Sequence, residues 1–372
     1  AEDGIRDSVA SRGLGDVYKR QQILSLLNEL KTRLNMAVLL ITHDLGVVRK
    51  MADRVCVMSE GKLVEQAQTE TLFVNPQHDY TKHLLAAEPS GEPVAAVPDA
   101  PVVMSGENIE VTFNLAQGWF AKRRDLKAVD QVQIVVRQGQ TLGVVGESGS
   151  GKTTIAKMLL GIEIPTAGII NVAGRDRSIP ARGPSERRKR GRELQMVFQD
   201  PYTSLDPRQT GWSSLREVIQ LHFPDQTKSQ VESRILELGS QVGLSTEQLE
   251  VRPNSLSGGQ RQRVAIARAL ASEPQAIILD EAVSGLDVSI QAQILNLLMD
   301  IKRETGVAYL FISHDLAVIR QMAGYVIVME SGRVVEEGET AQVLDHPKEN
   351  YTRMLRESVP GPGWSPKRRN LA

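Results

Sequence analysis

The sequence predicts an α/β fold, and three observations carry that prediction. The octapeptide Gly146-Glu147-Ser148-Gly149-Ser150-Gly151-Lys152-Thr153 lies between an apolar strand-like run (141–145) and a helical run (154–160). A second apolar run, 275–279, ends in two adjacent carboxylates, Asp280 and Glu281. Residues 22–85 recur without a gap further along, with His43 and His314 standing 271 residues apart. Strand–loop–helix units of this kind build a mostly parallel sheet layered by helices.

The octapeptide has the spacing G-x-x-x-x-G-K-[ST], in which glycines let the backbone curl until its N–H groups face a phosphate chain. The helix that follows adds positive potential at its N-terminus. We assign 146–154 (Gly146, Glu147, Ser148, Gly149, Ser150, Gly151, Lys152, Thr153 and Thr154) to the phosphates of a nucleotide. Lys152 is expected to reach the β- and γ-phosphates, and the Thr153 hydroxyl to ligate Mg²⁺. The strand at 275–281 delivers an Asp beside such a loop, so Asp280 is the second candidate metal ligand. Glu281, one residue on, is the candidate that orients or deprotonates an attacking water.

Between these parts lies Leu256-Ser257-Gly258-Gly259-Gln260, followed by a helical run with Val264, Ile266, Ala267 and Leu270 on its apolar positions. Ser257 reads as an N-cap, and the glycines allow backbone to approach an anion. This is a second phosphate-grade site about a hundred residues past the first. Two domains packed head to tail could use both sites at once.

Composition narrows the class. The chain has 372 residues, enough for two domains, with 44 Lys+Arg against 45 Asp+Glu. That balance makes no electrostatic case for nucleic acid as a partner. No run of 18 apolar residues is present, so no membrane span is expected. The single cysteine, Cys56, sits in the apolar run 54–58 and reads as a core residue.

The repeat organises the chain. Gln22-Ile23-Leu24 returns as Gln293-Ile294-Leu295, Ile41-Thr42-His43-Asp44-Leu45 as Ile312-Ser313-His314-Asp315-Leu316, and Pro76 with Tyr80-Thr81 as Pro347 with Tyr351-Thr352. We expect residues 1–21 to be foreign to the repeat and non-native, and 22–88 to be the C-terminal part of a first domain copy. Residues 89–103, with Pro89, Pro93, Pro98 and Pro101, read as a semi-stiff linker. A complete domain is expected at 104–357 and a loose basic tail at 358–372. The Arg- and Lys-rich run 175–192 reads as a solvated loop.

Taken together, 146–153, Gln199, 256–260, Asp280-Glu281, Ser284-Gly285-Leu286-Asp287 and His314 resemble the full motif set of an ABC transporter ATPase: Walker A, Q-loop, signature, Walker B, D-loop and H-loop. The resemblance implies a P-loop NTPase with a RecA-like core, an antiparallel β subdomain and an inserted helical subdomain at about 205–272. It implies ATP and Mg²⁺ as cofactors. Gln199 would sense the γ-phosphate and metal, His314 would contact the γ-phosphate, and Asp287 would cross to a second ABC ATPase domain in a head-to-tail dimer. Phe113, Trp119 or Phe120 could stack on adenine, or belong to the core.

Val197-Phe198-Gln199-Asp200-Pro201, Ser204-Leu205-Asp206-Pro207-Arg208 and the Tyr351-Thr352 tail are similar to oligopeptide and dipeptide importer ATPases. That implies integral membrane permease subunits as partners, a periplasmic substrate-binding protein indirectly, and a cytoplasmic place on the inner face of the membrane. Nickel or glutathione importers are close in motif content, and paired ABC ATPases acting on ribosomes or DNA form the other class. Where many members carry Pro and Thr, Ala282 and Val283 follow Glu281 here, sparing both carboxylates.

Overall fold

The computed structural model describes residues 16–42, 44–87, 93, 99–115 and 124–358. Expectations for residues 1–15, His43, most of the linker, Trp119, Phe120 and the tail from 359 lie outside those residues.

The first described elements are α1 (Asp16–Leu34), α2 (Leu45–Met51), the antiparallel pair β1 (Arg54–Ser59) and β2 (Lys62–Gln68), α3 (Thr69–Val74) and α4 (Asp79–Ala86). Helix α1 runs unbroken across the expected junction at residue 22. Then β3 (Val102–Leu115) and β4 (Arg124–Arg137) pair antiparallel, followed by β5 (Thr141–Gly146) and α5 (Lys152–Leu160). Strands β6 (Ala167–Val172) and β7 (Arg175–Asp176) complete a four-stranded sheet in the order β4-β3-β6-β7.

Helix α6 (Pro184–Glu193) leads into β8 (Leu194–Val197) and the short α7 (Pro201–Ser204). A helical block follows: α8 (Gly211–His222), α9 (Lys228–Gln241), α10 (Thr246–Glu250) and α11 (Gly258–Leu270). The last three begin at capping boxes, Thr227/Gln230, Ser245/Gln248 and Ser257/Gln260, in which side chains satisfy otherwise orphaned amides. The chain closes with β9 (Ala276–Asp280), α12 (Val288–Thr305), β10 (Ala308–Ile312), α13 (Leu316–Met322), β11 (Tyr325–Glu330), β12 (Arg333–Glu339), α14 (Thr340–Asp345) and α15 (Asn350–Ser358).

The second sheet has the order β12-β11-β5-β10-β9-β8, parallel except for β12. Strands β5, β9 and β10 are buried along their whole length, as strands covered on both faces must be. Side chains alternate between two cores. Val145, Ile277, Leu279, Tyr309 and Phe311 pack toward the helical block. Leu142, Val144, Ala276, Ile278, Leu310 and Ile312 pack toward the antiparallel sheet.

One of the buried charges is a lysine. The Lys302 ammonium is 4% exposed and donates to Thr141 Oγ1 at 3.0 Å. Burial lowers its pKa to about 8. The folded protein therefore releases this proton at lower pH than the unfolded chain, and stability rises between about pH 8 and the ordinary lysine value, by about 3 kcal/mol. We expect Lys302→Met to lose about that much of its advantage over wild type across this window. Urea unfolding at graded pH reads the gap, and a constant gap refutes the assignment.

The repeat recurs element by element. Each of α2, β1, β2 and α3 starts 271 residues before α13, β11, β12 and α14 respectively, and the register shift at Val57/Met58 returns at Val328/Met329. The copies differ in what surrounds them. Segment 36–42, counterpart of β10, forms no strand, and Leu39 and Ile41 are 89% exposed where Leu310 and Ile312 are buried. In the second copy β5 and β9 flank β10 and cover it; segment 36–42 has no such neighbours among the described residues. The same contrast corrects the reading of Cys56, which is exposed rather than core. Its counterpart Ile327 is buried because β11 pairs with β5, whereas among the described residues β1 pairs only with β2.

The basic run 175–192 also differs from expectation. It contains β7 and α6, and two of its arginines are buried. Arg177 donates to Glu193 Oε2 at 2.8 Å and to the Arg190 carbonyl at 3.0 Å. Arg190 donates to Glu186 Oε1 at 2.7 Å and to the Ile179 carbonyl at 2.9 Å. Paired acids and carbonyls make burial of these charges tolerable.

Candidate functional site

Four parallel strands deliver the candidate residues to one edge of the sheet. In the paired register Ile312 lies opposite both Val144 and Asp280, and Val197 opposite Leu279. The loop after β5, the carboxylates closing β9, His314 after β10 and Gln199 after β8 therefore emerge together at the C-terminal ends. That is where ligands bind in open α/β sheets.

The loop 146–151 is held by its neighbours. Gly151, at φ +102°, caps α5, and a Cβ there would stand 2.6 Å from the Ala128 carbonyl oxygen. A Cβ on Gly146 would stand 2.3 Å from that of Met329. Only glycine fits these close approaches. Lys152 is buried and donates to the carbonyls of Gly146 (2.7 Å) and Glu147 (2.6 Å), with Ser150 Oγ at 3.4 Å. Burial lowers its pKa, opposed by Glu281, Asp280 and Glu147. Ser148, Gly149 and Thr153 are exposed, and Thr154 is half-buried.

The two candidate metal ligands already touch. Thr153 Oγ1 donates to Asp280 Oδ2 at 2.9 Å. Burial pushes the Asp280 carboxyl up, opposed by that bond and by Lys152. Glu281 sits at φ +48°, in the left-handed region that a non-glycine residue occupies only when its surroundings demand it. Its N–H donates to the Ile312 carbonyl at 2.9 Å, and its carbonyl accepts from Ser284 N at 3.0 Å. His314 Nδ1 lies 3.4 Å from Glu281 Oε1. Hydrogen bonding to His314 holds the Glu281 carboxyl below its ordinary value, against desolvation. Ala282 and Val283 are buried, so the unusual loop after the base packs into the core.

The Ser-Gly-Gly-Gln segment opens α11. Ser257 Oγ accepts from Gln260 N (3.3 Å), and Gln260 Oε1 accepts from Ser257 N (2.8 Å). Gly258 is half-buried. Gly259 has a packing reason absent from the sequence reading: a Cβ there would meet Ile290 Cγ2 at 2.6 Å. Asp287 is the N-cap of α12 yet makes no side-chain capping bond, and it is exposed. Gln199 is exposed. Phe113, on β3, packs against the core between the sheets.

Three residues escaped the sequence reading. Arg268 donates to the Ser204 carbonyl at 2.7 Å, and Arg261 lies over the Tyr202 ring at 5.5 Å, so α11 is tied to the segment just after Gln199. Tyr351 touches the phosphate loop from the far end of the chain. No local pattern announces such contacts, although Tyr351 stands in the repeated Tyr-Thr pair.

Residues 129–284 match the ABC transporter family. The chain carries an ABC transporter ATP-binding domain. Residues 64–104 and 335–371 each match the oligopeptide/dipeptide transporter C-terminal region, at the offset of the repeat. The chain is 46% identical over 341 residues to the peptidoglycan transport ATP-binding protein YejF of Agrobacterium fabrum, covering 91% of this chain and 62% of the relative. It is 41% identical over 372 residues to the glutathione import ATP-binding protein GsiA of Shigella dysenteriae, covering 93% and 59%. The chain thus spans about three-fifths of the length of these relatives. The ATP-binding cassette MJ0796, solved as a dimer in a post-hydrolysis state with ADP and Pi, superposes with a TM-score of 0.57 at 25% identity, covering 64% of this chain and 98% of that one.

Proposed function

We propose that this chain hydrolyses ATP to power import of a peptide-like cargo. The observation that carries the reading is the convergence of the glycine loop, the Thr153–Asp280 pair and the Glu281–His314 pair at the ends of adjacent parallel strands. Hydroxyl and carboxylate oxygens side by side suit Mg²⁺, a hard cation. Thr153, Asp280 and Gln199 would hold it, and it would neutralise charge on the transferred phosphoryl group.

The chain's own groups divide the remaining work. Lys152 exchanges the loop carbonyls for phosphate oxygens when nucleotide enters. Loop amides and the α5 N-terminus accept the phosphate chain. Glu281, kept ionised by its neighbours, orients the attacking water and takes its proton as oxygen bonds to the γ-phosphorus and ADP leaves. His314 holds the base and contacts the γ-phosphate. Ser257, Gly258, Gly259, Gln260 and Asp287 serve a second domain, whose own such residues close over Lys152. Phe113 is the candidate for adenine stacking.

Closure of two domains would move the helices of membrane permease subunits, with a periplasmic binding protein supplying cargo. No helix among the described residues is long and apolar enough to cross a membrane, so the attachment we propose is peripheral, on the cytoplasmic face. Peptide-like cargo is supported by the oligopeptide/dipeptide region matched at both copies.

Phosphate release from MgATP tests the proposal. Because each site needs a second domain, specific activity is expected to rise with protein concentration. Absence of release at every concentration refutes hydrolysis, and activity strictly first order in protein refutes pairing.

A further inference from the structure

Helix α15 is fixed at its start by an acid on β12. Glu336 accepts from Lys348 N (2.8 Å) and Glu349 N (3.2 Å), satisfying two amides at the helix entry. The first copy repeats the device, Glu65 accepting from Gln77 N (2.8 Å) and His78 N (3.0 Å). This clasp sets where the next tyrosine falls. Tyr351 is 7% exposed, in the same core as Val145, Val343, Leu344 and Leu355. Its phenol oxygen accepts the N–H of Glu147 at 3.1 Å, across 204 residues of sequence. Glu147 is the first residue beyond Gly146, where the loop leaves β5.

We propose that Tyr351 is a positioning residue for nucleotide binding: its phenol fixes the first amide of the phosphate loop, so that the oligopeptide-type C-terminal region helps shape the cradle. The inference rests on the ATP reading above. A cradle works by presenting amides already aimed at the phosphates. An amide at its entrance with no acceptor would turn toward another carbonyl and carry the loop with it. The Glu147 N–H is directed instead to a neutral hydroxyl on a buried ring, and that ring is anchored to the second sheet through Glu336. Burial pushes the phenol up to about 12, so it remains a neutral acceptor at working pH. The tyrosine recurs as Tyr80 in the first copy, beside the same clasp.

Titration calorimetry with MgATP on the full chain tests this. Tyr351→Phe keeps the ring and removes the one acceptor. It is expected to weaken ATP about 3- to 10-fold, the usual worth of one hydrogen bond, while the nucleotide-free unfolding midpoint stays near wild type. Leu355→Ala, one turn on and buried in the same core, is expected to lower that midpoint and leave the affinity within about twofold. A Tyr351→Phe affinity within about twofold of wild type overturns the inference, as does a Leu355→Ala loss of affinity equal to that of Tyr351→Phe. If wild type itself shows no affinity for ATP, the nucleotide reading fails and this inference falls with it.

Discussion

Replacing Glu281 by glutamine is expected to leave a chain that binds ATP normally and hydrolyses it about 10²–10⁴-fold more slowly. The substitution keeps the shape of the side chain and removes its ability to accept a proton. Loop geometry should survive, because the backbone of residue 281 is held by the Ile312 carbonyl and by Ser284, not by the carboxylate. Lys152 loses one of the three acids that oppose its desolvation, which leaves its contacts to the loop intact. Single-turnover phosphate release gives the rate and calorimetry gives the affinity. An unchanged rate would show that another group activates the water. A lost affinity would show that Glu281 shapes the cradle instead.

Replacing Arg177 by alanine is expected to cost about 3–5 kcal/mol of folding stability. The guanidinium is 1% exposed and joins Glu193 to the backbone of α6 at Arg190. Removing it leaves the half-paired Glu193 carboxylate shared with Arg175 alone, in a site vacated by a large side chain. Arg187 is exposed on the same helix, and its alanine variant should stay within about 0.5 kcal/mol of wild type. Denaturant unfolding compares the two. A loss below about 1 kcal/mol for Arg177→Ala would mean the network is ornamental to the fold.

What could be read from the chain alone follows from the range of the interactions involved. Strands β5 and β9 were legible because each is a short apolar run, and the residues that close or follow them announced the site. Ser257 was legible as a cap, and Gln260 completes that cap three residues later. Cys56 was misread because an apolar strand is buried only if other strands lie beside it, and those neighbours are not a property of residues 54–58. The basic run 175–192 was misread because nothing local shows Arg177 folding back onto Glu193. Tyr351 and Arg268 reach carbonyls and amides far away in sequence, which composition and periodicity cannot register. Gly259 illustrates the intermediate case: the residue was noticed, and its contact with Ile290 was not.

The mutual capping of Ser257 and Gln260 has a mechanical corollary. On the proposed function, a phosphate arriving from another molecule would find each of these side chains already bonded to the other residue's backbone N–H, so docking would swap one set of hydrogen bonds for another and gain only the difference. An embrace built on such exchange is shallow and readily undone. If the chain works as proposed and lets go after every stroke, that latch serves it better than a grip with waiting, unsatisfied fingers.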